Sequence, residues 1–324
     1  MNYSKPILNW FIEPLAPLGL WLKIAIIVLA SIFIESKPTH SSWAISMILT
    51  AAFILVPLGF QQVMNRHGAF QAKFQDNVIA RNEVSWVLLL HLVAAFLLAL
   101  SFILEKSWIA SLLALPYTIW CAFIFLKTLQ FNFKLPYLTT LATWGFLTNA
   151  AVWCVFDRFD YQPLGFTPWI VLLTGAHFHY AGFALTLSLS LLLNENPQNK
   201  IATIAAWGVL SGVVLTATGI TTTQLGYSHF IETLAGVWMA MAAFLVGLSF
   251  LLRGYFNEKT WRVRVFWMTG GICLTLSMTL AFFYALRHII MINWLTIPHM
   301  QAIHGSLNAL GFGTLMLLGW AFKK

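Results

Sequence analysis

Runs of about twenty apolar residues, separated by short polar or basic segments, recur along the whole length of this chain. A run of that length is what a helix needs to cross the hydrocarbon core of a bilayer. In lipid a helix also satisfies its backbone hydrogen bonds internally. Only 9% of the 324 residues are charged and 60% are hydrophobic, with a mean hydropathy of +0.80; a soluble domain carries about 25% charged residues. The sequence therefore predicts an all-α, polytopic transmembrane bundle forming a single integral membrane domain over residues 1–324, with the lipid bilayer as its first partner.

The spans are bounded by charge, Pro or Asn. They read as Leu18 to Ile34, Trp43 to Val63, Trp86 to Leu104, Trp108 to Leu126, Tyr137 to Phe156, Pro168 to Leu193, Ile201 to Ile220, Phe230 to Leu252, Val265 to Leu286 and Met300 to Trp320, ten in all. The first has no small-residue cleavage site after it and reads as an uncleaved span. Its Lys23 lies close enough to one end to reach the headgroups. The segment Asn65 to Ser85, which mixes Phe70, Phe74 and Ile79 with Lys73 and Asp76, reads equally well as a surface helix or a loop.

The net charge of +8 does not imply nucleic acid as a partner, because the basic residues sit in short loops and form no stripe. Counted by alternate loops, 13 Lys and Arg fall on one side, among them Arg66, Arg253, Arg264 and Lys323, and 4 on the other: Lys37, Lys106, Arg158 and Arg287. The positive-inside rule then places both termini in the cytoplasm. Cys121, Cys154 and Cys273 all fall inside spans and read as small buried hydrophobes.

Ionisable groups inside spans are costly and mark candidate function. His177 lies nine residues into the sixth span, Glu232 in the first turn of the eighth and His304 about one turn into the tenth. These spans run in the same direction, so all three groups share the outer half of the membrane. His177, His179, Glu232 and His304 are the candidate metal ligands, since imidazole and carboxylate suit zinc or iron. Glu232 is also the candidate catalytic base, and Tyr180 and Asn308 are candidate cofactor contacts. On a regular helix His177 and His179 project about 200° apart. Either one of them packs elsewhere or the helix is distorted there. His229, His288 and His299, near the water interface, read as structural, as do His91 and Asn149 in other spans.

The segment His177-Phe178-His179-Tyr180-Ala181-Gly182-Phe183, then Glu232, then His304-Gly305-Ser306-Leu307-Asn308-Ala309-Leu310-Gly311-Phe312, resembles the YndJ-like family of bacterial integral membrane proteins. The resemblance is concentrated in Thr167 to Trp320 and implies a location in the bacterial inner membrane; it carries no activity or cofactor with it. His304 to Phe312 is also similar to His-containing helices of haem-copper-oxidase-like proteins. Three functions follow as expectations. The first is a metal-dependent membrane enzyme, using zinc or iron on a small or lipophilic substrate. The second is a haem-binding redox or sensory protein with His177 or His179 and His304 as axial ligands. The third is a proton-coupled transporter.

Overall fold

The computed structural model describes residues 40–66, 81–129 and 134–323. Among them are nine helices long and apolar enough to cross a membrane. In chain order these are α1 (Ser41–Arg66), α2 (Arg81–Ile103), α3 (Trp108–Thr128), α4 (Leu135–Arg158), α5 (Pro168–Glu195), α6 (Lys200–Gln224), α7 (His229–Phe256), α8 (Trp261–Ala285) and α9 (Ile297–Phe322). They correspond one to one with the second to tenth spans expected from sequence. The first, Leu18 to Ile34, lies outside the described residues, as does most of the segment between Asn65 and Ser85.

Helix starts follow local chemistry. Ser107 and Asn199 cap α3 and α6 by accepting from Ala110 N and Ala202 N. Pro168 and Pro298 occupy the first turns of α5 and α9, where the missing N–H costs nothing.

Two helices form the centre. In α1 and α5, 83% and 67% of the apolar window is buried, against 33–44% in the other seven. Three helices, α1, α5 and α9, also depart from α geometry, with π-helical turns at Ala51–Leu55, Phe178–Ala184, Met300–Gly305 and Leu307–Thr314. A π turn leaves a carbonyl without its usual partner, and side chains fill in: His91 Nε2 donates to Ala52 O at 2.7 Å, and Thr314 Oγ1 donates to Ala309 O, five residues back, at 2.9 Å. The π turn Ala51–Leu55 ends two residues before Pro57, which has no N–H to give to the preceding turn.

The central helices are pinned by polar contacts. Tyr180 of α5 donates to Met47 O of α1 (2.9 Å), and Trp43 of α1 donates to Ser306 Oγ of α9 (3.3 Å). Helices α6, α7 and α8 form a second, tightly packed unit whose backbones approach at small residues: Gly208 against Ala242, Gly219 against Glu232, and Gly247 against Gly271.

At one end of the bundle Glu195 pairs with Arg253 (2.7 Å) and with Lys323, while Arg66 Nη2 donates to Trp320 O (3.2 Å). Those residues close α5, α7, α9 and α1, so these four helices run parallel, as the loop count requires. At the opposite end Asp157 is held by Arg158 (2.7 Å) and Lys106 (2.9 Å).

Candidate functional site

The structure does not gather His177, His179, Glu232 and His304 round one point; it distributes them over three settings.

His179 is fully buried. Its Nδ1 lies 2.7 Å from Gly175 O, and because a carbonyl can only accept, that nitrogen carries the proton. Nε2 then presents its lone pair to the Tyr117 hydroxyl of α3 at 3.1 Å. The two rings stack, with centroids 5.9 Å apart and planes at 17°. Both ring nitrogens are thus committed to the fold, on the face of α5 turned towards α3. Tyr117→Phe would leave a buried lone pair without a donor, and we expect a loss of about 1–3 kcal/mol, read as a lower thermal midpoint in detergent with no change in metal content.

His304 is fixed in the same manner. Its Nδ1 meets Ser277 O at 3.0 Å and is therefore protonated, so Nε2 accepts from Asn308 Nδ2 at 3.1 Å. That assignment turns Asn308 Oδ1 the other way, where it is buried without a partner among the described residues. His177 is the free member of the set. It is exposed although it lies within a span, and its nitrogens have no hydrogen-bond partner among the described residues. Among the described residues, the first half of α5 packs on α1 and α4 but makes at most glancing contact with α6, α7 and α8. With both nitrogens of His179 and of His304 engaged, a haem held between them would require both networks to break. Tyr180, bonded to Met47 O, is occupied in holding α5 to α1.

Glu232 belongs to a different cluster. Among the described residues, His229, Glu232 and His288 form the one group of three or more potential ligands whose donor atoms all lie within 4.8 Å of one another. Glu232 Oε1 is paired with Arg287 Nη2, and Oε2 lies 3.8 Å from His288 Nε2. The imidazoles of His229 and His288 stack at 4.2 Å. Arg287 is held in turn by Tyr284, whose ring it covers at 4.1 Å and whose carbonyl it reaches at 3.0 Å. Helix α7 begins at His229, so the carboxylate sits in the first turn, where the helix dipole favours a negative charge. Gly219 of α6 makes room for the backbone at Glu232: a side-chain carbon there would stand 2.6 Å from Glu232 Cα.

Sequence reasoning put His229 and His288 among the structural histidines. The signal available was the three-residue spacing of His229 and Glu232, which places them on one helix face. No spacing rule reaches His288 from there, because it arrives from the far end of α8.

A bundle of membrane-spanning helices with a carboxylate and two imidazoles at one rim, and a further imidazole exposed within it, defines a polytopic α-helical membrane protein carrying a polar site. The chain belongs to the YndJ-like protein family, whose profile matches residues 45–312. It is 25% identical over 295 residues to the uncharacterized membrane protein YndJ of Bacillus subtilis (strain 168), an overlap of 90% of this chain and 51% of that protein. The chain thus spans about half the length of the curated relative it matches. The family match runs from α1 into α9, well beyond the C-terminal half in which the motifs lie. No solved structure matches the chain.

Proposed function

We propose that this protein binds a divalent metal ion, zinc or iron, through His229, Glu232 and His288, and acts with it on a small or lipophilic molecule at the outer side of a bacterial plasma membrane. The observation that carries the reading is the convergence of those three donors from two helices within 4.8 Å. Two imidazoles and one carboxylate are a common donor set for both metals, with positions left open for water or substrate.

Tetrahedral zinc sets neighbouring ligand atoms about 3.3 Å apart, so the 3.8 Å between His288 Nε2 and Glu232 Oε2 needs to close by only a fraction of an ångström. Arg287 holds Oε1 and leaves Oε2 directed at the imidazole, which fixes the carboxylate's orientation. A bound ion would supply Lewis acidity and lower the pKa of a coordinated water. The exposed ring of His177 gives the same half of the bundle a second hydrogen-bonding group, one that no described residue bonds. The outer placement rests on the Lys and Arg bias of the loops, which also puts both termini in the cytoplasm.

Metal analysis after loading with Zn²⁺ or Fe²⁺ and removal of excess tests the reading. About one equivalent is expected in the native protein and in His304→Ala, and less than a tenth of that in Glu232→Gln and His288→Ala. A native protein that retains no ion, or variants that retain it, would refute the assignment.

A further inference from the structure

We propose that the groove between α4 and α6 binds a neutral, long-chain lipid through its small oxygen-bearing head, with Asn149 as the recognising residue.

The groove is open along one side and has a volume of about 630 Å³, within the range of a ligand site. Its walls are almost wholly apolar and include Phe146, Phe178, Val213 and Val214; its two polar side chains are Thr218 and Asn149. Thr218 is already satisfied, because its hydroxyl donates to Val214 O at 2.9 Å. The Asn149 amide has no hydrogen-bond partner among the described residues. It contrasts with His91 of α2, which is bonded to Ala52 O.

Asn149 lies nine residues before Arg158, the end of α4, or about 14 Å along the helix. At that depth water is not available to satisfy an amide, and an unpaired one costs about 1–3 kcal/mol or more. A ligand that fills the groove and supplies a hydrogen bond removes the cost. Depth and charge define its class. Phospholipid headgroups stay at the interface, and no acidic or basic side chain lines the groove to offset an ionised head. The matching ligand therefore has a head small and neutral enough to enter the hydrocarbon region, a hydroxyl or carbonyl, on an apolar chain. An amide offers both donor and acceptor to such an oxygen. The inference does not depend on a metal at the rim.

The test is photolabelling of the full-length protein in nanodiscs with a long-chain alcohol carrying a diazirine beside its hydroxyl. Labelled peptides are mapped by mass spectrometry. Labelling concentrated on α4 and α6 around Asn149 and Val213, competed by excess unlabelled alcohol, is expected. It should fall at least fivefold in Asn149→Leu and in Val213→Trp, which fills the groove, while Thr279→Val, at an exposed position on α8, leaves it unchanged. Asn149→Leu removes an unpaired polar group, so it should fold at least as well as the native protein, and the metal content is expected to be unaltered. Equal labelling in Asn149→Leu, or equal labelling of the groove by a hydroxyl-free alkyl diazirine of the same length, would show that it holds ordinary acyl chains and overturn the proposal.

Discussion

Gly271→Leu is expected to abolish the folded, monodisperse protein in detergent. A side-chain carbon at position 271 would stand 2.7 Å from the Gly247 carbonyl oxygen and 2.8 Å from Leu251 N, and a carbon at Gly247 would stand 2.9 Å from Gly271 O. Those neighbours are backbone, so no rotamer change relieves the clash, and α7 and α8 must separate. Overpacking a well-packed core costs about 1–3 kcal/mol, occasionally more; here the added atoms meet backbone and the α7–α8 seam has to open, so we expect more than about 3 kcal/mol. Gly226→Ala provides the control. Gly226 has φ +83° with nothing within 4 Å of an added carbon, so only backbone strain is introduced, about 1 kcal/mol. Size-exclusion profiles and thermal unfolding of both variants measure the difference. A Gly271→Leu protein that elutes and unfolds like the native one would contradict the seam.

The second large effect concerns Arg287. Its partner Glu232 retains only 12% side-chain exposure, and Arg287 itself 24%. Removing one member of a buried pair costs about 3–5 kcal/mol, and of an exposed pair about 0–1. This pair lies at a partly wet rim, which places Arg287→Met near 2 kcal/mol of lost stability in the metal-free protein. The combined Glu232→Gln, Arg287→Met variant should lose less than the sum of the single changes, since neither group is then left unpaired. The metal reading adds an effect of opposite sign. A guanidinium beside a bound divalent ion repels it and competes for the same carboxylate, so Arg287→Met should tighten metal binding, by about tenfold on a Coulombic scale softened by water. Calorimetric unfolding and metal titration of the three variants separate the two. A drop in both stability and affinity would mean that Arg287 positions the carboxylate more than it opposes the ion.

The divided fate of the histidines shows where sequence reasoning stops. The 200° divergence of His177 and His179 required that one of them pack elsewhere or that the helix be distorted, and both occur. Phe178–Ala184 is π-helical, and His179 is turned towards Tyr117. Periodicity has no means of choosing which histidine is committed, because the choice depends on a hydroxyl on α3, 62 residues away. Equally, depth along parallel helices placed Glu232 level with His177 and His304, but depth is one coordinate of three. Glu232 faces Arg287 and His288 of the turn Leu286–His288 that follows α8.

What the sequence determined by itself is the part that solvent dictates. Apolar runs of bilayer length must become helices that satisfy their own backbone, and nine of the ten spans read from them recur among the described helices. Only the tertiary structure decided which polar side chains meet. A membrane helix shows every face to some neighbour, and hydropathy, nearly uniform round such a helix, does not encode which. The close approaches at Gly219, Gly247 and Gly271 bring α6, α7 and α8 together, and it is that packing which unites His229, Glu232, Arg287 and His288, while the ring of His177 has no hydrogen-bond partner among the described residues.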